Sequence, residues 1–310
     1  LLVGHNGTGK THVLKLLYAV LSAHQEGKDV ADKLQAVFLP AAKALGRLMR
    51  WKARGNAKAV IEGYGKTVRL SISKGATYQL ECTNCWREGQ LSDSVYVPVK
   101  EMLANAPGFI SLYRTRAVHF EEVYADILYK AFMPPLREPA LEGRRALLDA
   151  IEEVLGGTVV AHEEQFFLHS KDGELEFTLV AEGMRKLGLL WVLIRNGTLA
   201  PGATFFWDEP EANLNPSMLR AVVKVLLALQ REGVQMFIAT HNYVLLKEFD
   251  LQKTAEDQVR FFSLSRDPGS GPISVRSGER YTDIVPNKIS DAYSQIYDAE
   301  VQRSLGGATG

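Results

Sequence analysis

Cysteine is nearly absent: 310 residues carry only two, Cys82 and Cys85. A disulfide scaffold is excluded, and a reducing, cytoplasmic compartment is expected. There is no excess of charge: Lys plus Arg is 36 and Asp plus Glu is 36. The broad basic surface of a dedicated nucleic-acid binder is therefore lacking. No stretch approaches the ~18 uninterrupted apolar residues of a membrane-spanning helix, so no membrane partner is expected. There is no solenoid-type repeat. What remains, 46% hydrophobic and 23% charged residues, is the composition of a globular protein. The chain opens on Leu1-Leu2-Val3, which reads as the end of a buried strand entering a glycine-rich turn. Strands upstream of Leu1 are expected, making this a truncated chain.

Residues 12–23 have apolar positions at helical spacing, and residues 29–52 continue in that pattern until Pro40 breaks it. The period then falls to two. Short strands separated by glycine turns are expected at 60–62, 67–72 and 78–81, paired as antiparallel hairpins, with another at 94–99. Helical segments at 119–133 and 142–155 follow, then strands over 158–180. After residue 180 helices are expected at 183–195, 216–231, 243–249 and 288–304, and strands at 203–207, 234–239, 259–264 and 272–276, with a frayed glycine-rich tail at 306–310. Buried strands alternating with helices imply a mostly parallel sheet covered on both faces.

Three segments carry chemistry. Gly4-His5-Asn6-Gly7-Thr8-Gly9-Lys10-Thr11 has the form G-x-x-x-x-G-K-[ST]. Its glycines allow successive N–H groups to converge on phosphate, and the following helix, from Thr11-His12 onward, directs its positive end at the same anion. Lys10 is expected on the β- and γ-phosphates of ATP, and the Thr11 hydroxyl on Mg2+. Ala203-Thr204-Phe205-Phe206-Trp207-Asp208-Glu209 is an apolar strand ending in two carboxylates. Ligands of open α/β sheets lie at that end, so Asp208 is assigned to the Mg2+ shell and Glu209 to the attacking water. Met236-Phe237-Ile238-Ala239-Thr240-His241 is a second such strand, and it offers His241 to the γ-phosphate or the water.

The order of phosphate loop, Asp-Glu-Pro-Glu-Ala-Asn-Leu-Asn-Pro and Ala-Thr-His resembles the ABC-type ATPases. It is most similar to the prokaryotic AAA-family branch related to the overcoming-lysogenisation-defect ATPases and the DNA-repair and chromosome-condensation ATPases, and unlike the hexameric ring proteins. The resemblance runs from Leu1 to about Phe249 and is most specific at 4–11 and 203–216. It implies one P-loop, ABC-like α/β domain over 1–310. Within it, 1–23 and 181–265 would be the nucleotide-binding core, 24–100 a helical and antiparallel β lobe, and 101–180 a helical insertion with returning strands. A Leu-Ser-Gly-Gly-type signature that meets the partner subunit's nucleotide corresponds to Val180–Lys186, where Gly183 is retained and Ala181 replaces the serine. The same residues also read as an ordinary helix start. Asn213-Leu214-Asn215 matches a partner-facing loop, with Asn215 where transporters usually carry Asp, and Glu101 falls where the family has a Gln loop.

The resemblance further implies a head-to-tail homodimer enclosing ATP, working on DNA or in anti-phage defence beside a separate nuclease or effector protein. A transporter ATPase subunit is the second reading, and a nucleotide-gated module with little hydrolysis the third. Cys82 and Cys85 lack a second ligand pair for zinc and read as two thiols. Arg114, Arg116, Arg144 and Arg145 suit either a DNA or partner contact or a solvated face.

Overall fold

The computed structural model describes residues 1–50, 55–63, 65–74, 78–83, 92–116, 118–137, 142–266, 272–285 and 287–306. Cys85 and the tail 307–310 lie outside them, and Cys82 is described by its backbone alone. The elements are β1 (Leu2–Gly4), α1 (Lys10–Glu26), α2 (Val30–Phe38), β2 (Ala57–Gly63), β3 (Lys66–Ile72), β4 (Tyr78–Thr83), β5 (Ser94–Val97), α3 (Phe109–Thr115), α4 (Glu122–Ala131) and α5 (Arg145–Leu155). They continue as β6 (Gly157–His162), β7 (Gln165–Ser170), β8 (Gly173–Glu176), α6 (Glu182–Arg195), β9 (Thr204–Asp208), α7 (Pro216–Arg231), β10 (Gln235–Thr240), α8 (Tyr243–Gln252), β11 (Phe261–Arg266), β12 (Ile273–Gly278) and α9 (Lys288–Gly306).

Six strands form the central sheet in the order β12-β11-β1-β10-β9-β5. All neighbours are parallel except β11 and β12. The register sets Leu2 between Ala239 and Phe262, and Thr204 between Gln235 and Ser94. The strands β1, β9 and β10 therefore end side by side, which brings the phosphate loop, Asp208 and His241 to one edge. Two smaller antiparallel sheets, β2-β3-β4 and β6-β7-β8, stand apart from it.

The two faces of the sheet bury separate cores, as the period of two requires. Phe205 and Trp207 of β9 join Val95 and Val97 of β5 in the cluster under α5, α6 and α7, whereas Phe206 and Tyr96 face α1 and α2. Asp208 follows Phe206 in parity and so belongs to the α1 face. The apolar stripe of α7, Leu219, Val222, Val223, Leu226 and Leu229, is buried on that first core. Its start is fixed by Asn215, whose side chain accepts from Ser217 N at 3.1 Å, with Pro216 in the first turn. α6 is apolar nearly all round and is buried accordingly.

One strand departs from the sequence expectation. Residues 94–99 fall within the span read as the antiparallel lobe, but β5 is the edge of the central sheet, parallel to β9. Its four residues are all buried, and a fully buried strand shows no alternation to separate a parallel from a hairpin setting. Of the helical reading of 29–52, α2 stops at Phe38 before Pro40, two short 3-10 turns follow at Ala41–Lys43 and Leu45–Leu48, and residues 51–52 lie outside the described residues. Among the described residues no helix is long and apolar enough to cross a membrane.

Candidate nucleotide site

The phosphate loop leaves β1 at Gly4, where a Cβ would lie 2.4 Å from the Leu264 carbonyl oxygen of β11, so no other residue lets the loop pass this close. Gly7 and Gly9 hold left-handed φ values of 78° and 86°. The Thr8 hydroxyl donates to the His5 carbonyl at 2.8 Å, closing the turn. Gly9 caps α1 without a side-chain acceptor, which keeps the first-turn N–H groups of the helix open to an anion. The Lys10 ammonium is folded onto the loop, donating to Gly4 O at 2.6 Å and His5 O at 3.1 Å. Burial lowers its pKa, opposed by the charges of Glu209, Asp208 and Glu211. Asn6 is exposed at the loop tip; His12 is exposed on the first turn of α1, its ring 5.5 Å from that of Phe38.

Asp208 is buried, and its Oδ2 accepts from the Tyr96 hydroxyl at 3.3 Å. Burial pushes its carboxyl above the usual range, against the hydroxyls of Thr11 and Tyr96 that favour the charged form. Its Oδ1 has no hydrogen-bond partner among the described residues. A buried, unpartnered carboxylate oxygen beside the Thr11 hydroxyl is a hard-oxygen pair that fits Mg2+. Among the described residues no three His, Cys, Asp or Glu side chains converge to hold a metal by themselves. An ion bound mainly by phosphate and water needs none.

Glu209 follows in left-handed backbone, φ 49°, with its N–H bonded to Ala239 O at 2.9 Å. Its carboxylate lies 3.0 Å from His241 Nδ1. The structure thus brings Lys10, Thr11, Asp208, Glu209 and His241 to one place.

Several neighbours escaped the sequence reading. Glu211 is buried and accepts from the Thr240 hydroxyl at 2.7 Å and from His241 N at 3.1 Å, and burial raises its pKa. Its signal was the fourth letter of Asp-Glu-Pro-Glu. Tyr96 had no signal beyond sitting in an apolar strand. Lys15, one turn beyond Thr11, pairs with Glu121 at 2.6 Å.

Two other expected residues are engaged within the chain. Glu101, expected in place of a Gln loop, is buried and paired with Arg185 of α6 at 2.7 Å. Gly183 packs on the loop after β9: a Cβ there would lie 2.4 Å from Asn213 O. The N-cap of α6, Ala181, has no side-chain bond. Of the four arginines, Arg144 is buried against Ile194 O at 3.2 Å and Arg114 bonds the Tyr129 hydroxyl at 2.8 Å, while Arg145 lies 4.0 Å from Asp149 on an exposed turn.

A mostly parallel sheet with a phosphate loop after β1 and an acidic pair at the end of β9 is the fold and site of a nucleotide-binding P-loop protein. The chain belongs to the family described as "AAA domain, putative AbiEii toxin, Type IV TA system", whose pattern matches residues 92–247. That span holds Asp208, Glu209 and His241, and the phosphate loop lies before it. No curated protein matches the chain. Among solved structures it is similar to an SMC head bound to the C-terminal winged-helix domain of ScpA, with TM-score 0.54 and 13% identity over 91% of this chain and 90% of that one. It is also similar to the Pyrococcus furiosus SMC head domain with an extended coiled coil, bound to the C-terminal domain of ScpA. There the TM-score is 0.51, with 12% identity over 96% of this chain and 92% of that one. At such identity the likeness concerns the fold.

Proposed function

We propose that this protein hydrolyses ATP to ADP and phosphate with Mg2+. The observation that carries the reading is the 3.0 Å contact between Glu209 and His241 at the sheet edge that also bears Lys10. Lys10 leaves the carbonyls of Gly4 and His5 for the β- and γ-phosphates, which the open N–H groups of α1 also meet. Thr11 and Asp208 would hold Mg2+, which would supply charge neutralisation on the phosphates. Glu209 accepts the proton of the attacking water as its oxygen bonds to the γ-phosphorus and the bond to the ADP oxygen breaks. His241 orients the water or the terminal phosphate.

In this reading two copies associate head to tail about a two-fold axis, each closing the other's site through the start of α6 and the 213–215 loop. The uncapped start of α6 supports the association. The family description and the SMC-head fold support work on DNA or in defence beside a separate effector. Ala181, which lacks a serine's hydroxyl donor, favours the third reading, a gated module that closes on ATP with little turnover. Light scattering of Glu209→Gln protein with and without MgATP tests the cycle. A mass that doubles with MgATP supports it, and a mass unchanged at saturating MgATP removes the dimer from the account. Stimulation of wild-type turnover by double-stranded DNA supports the DNA role, and no stimulation sets it aside.

A further inference from the structure

α6 meets the turn that follows β9 through two residues on one helix face. Gly183 touches it at Asn213, and one turn later Lys186 reaches into it. Lys186 is 1% exposed. Its ammonium donates to Ala212 O at 2.9 Å and reaches Glu209 O at 3.5 Å. No ion pair within 4.0 Å is formed by Lys186 among the described residues. A buried ammonium ordinarily takes a carboxylate. This one is set on main-chain carbonyls instead.

Those carbonyls belong to a turn whose own hydrogen bonds are supplemented by side chains from outside it. Glu209 and Asn213, neither of them glycine, adopt left-handed φ values of 49° and 64°. That conformation is strained for Glu209, less so for an asparagine, and persists where its surroundings fix it. Within the turn, Ala212 N bonds Glu209 O at 3.0 Å and Leu214 N bonds Glu211 O at 3.1 Å. On the side away from Lys186, the Glu211 carboxylate ties the turn to Thr240 and His241 at the end of β10. The turn is therefore held from α6 by a cation and to β10 by an anion, and Glu209 leaves it at the point where its side chain meets His241.

The geometry points to Lys186 as a positioning residue for ATP turnover, whose ammonium keeps the 209–213 turn in the conformation that sets the Glu209 carboxylate against His241. This rests on the ATPase reading above. Lys186 touches no substrate; it acts through the backbone that carries Glu209. Methionine fills the same space without donors, whereas arginine keeps both charge and donors.

The test uses the full chain as Lys186→Met and Lys186→Arg, with turnover, MgATP affinity and amide hydrogen exchange read together. In Lys186→Met, exchange over residues 208–215 rises about tenfold as the turn opens locally. MgATP Kd stays within about threefold and kcat falls on the order of 100-fold, the scale of a catalytic group displaced by about 1 Å. Lys186→Arg restores both readouts to near wild type. Unchanged exchange over 208–215 in Lys186→Met overturns the proposal. So does faster exchange with unaltered kcat, or loss of Kd and kcat together with faster exchange throughout the chain. Wild-type protein that binds MgATP and releases no phosphate would sink the ATPase reading instead, and the exchange rates of the two variants would still decide the clamp.

Discussion

Replacing Gly183 by alanine isolates a contact that helix propensity alone would misjudge. Alanine inside a helix is favoured over glycine by about 1 kcal/mol. Here the added Cβ would lie 2.4 Å from Asn213 O and 3.2 Å from Leu214 Cδ2. The nearer atom is main chain in a left-handed turn, so it cannot swing aside as a side-chain end would. Overpacking of this kind costs about 1–3 kcal/mol, here at the upper end because backbone must move. Net destabilisation of about 1–2 kcal/mol is expected, which lowers the apparent Tm by roughly 1.5–3 °C in a chain of this size. Gly143→Ala is the internal control, since a Cβ there meets nothing within 4 Å. It should hold or slightly raise the Tm. Thermal unfolding of the two variants beside wild type measures the difference. A Gly183→Ala protein as stable as wild type, or more so, would refute the close approach of α6 to the 213 loop.

Three further outcomes follow from the site and its surroundings. Lys10→Ala should weaken MgATP binding by roughly 10–100-fold in calorimetry, the worth of one charge-assisted phosphate contact; unchanged affinity would remove Lys10 from the site. Lys33 is fully buried between Asp126 at 2.9 Å, Glu26 at 3.0 Å and Glu122 at 3.4 Å. Lys33→Met removes the cation shared by three carboxylates, of which Glu26 and Glu122 keep Lys28 and Asp126 keeps only the Tyr18 hydroxyl, and should cost about 3 kcal/mol in urea unfolding, with no loss expected if the cluster were solvated. Burial raises the Asp208 carboxyl above its usual range, so the group takes up its proton at a higher pH than a free aspartate. Mg2+ needs the deprotonated form. The Mg2+ concentration for half-maximal turnover should therefore rise as pH falls, beginning above the ordinary carboxylate range, and Asp208→Asn should abolish that dependence. A half-saturation value flat in pH would contradict the burial.

The legible parts of this protein were those written contiguously. The loop from Gly4 to Thr11 and the strand ending in Asp208-Glu209 declare their chemistry in consecutive residues, and the sheet brings them together through β1 and β9 beside β10. The illegible parts depend on encounters across the chain. Lys186 finds its carbonyls 23 and 26 residues away, and Glu211 finds Thr240 after 29. No local pattern encodes such meetings. β5 was readable as a strand but not as a neighbour of β9, because its partners lie more than a hundred residues on. Gly183 was noticed for its place in a resemblance, while the physical demand on it, the Asn213 carbonyl, appears only in the fold. Glu101 shows the converse: its position suggested a nucleotide sensor, and Arg185 neutralises it inside the chain.

Phosphate release from MgATP by wild-type protein and Glu209→Gln, with ATP binding followed on the same samples, bears most directly on the proposed hydrolysis. Wild type should turn over, and the variant should bind ATP equally while its turnover falls by roughly 10²–10⁴-fold, the usual contribution of a positioned base. Equal turnover by both proteins would contradict the role of Glu209 and the hydrolytic site built around it.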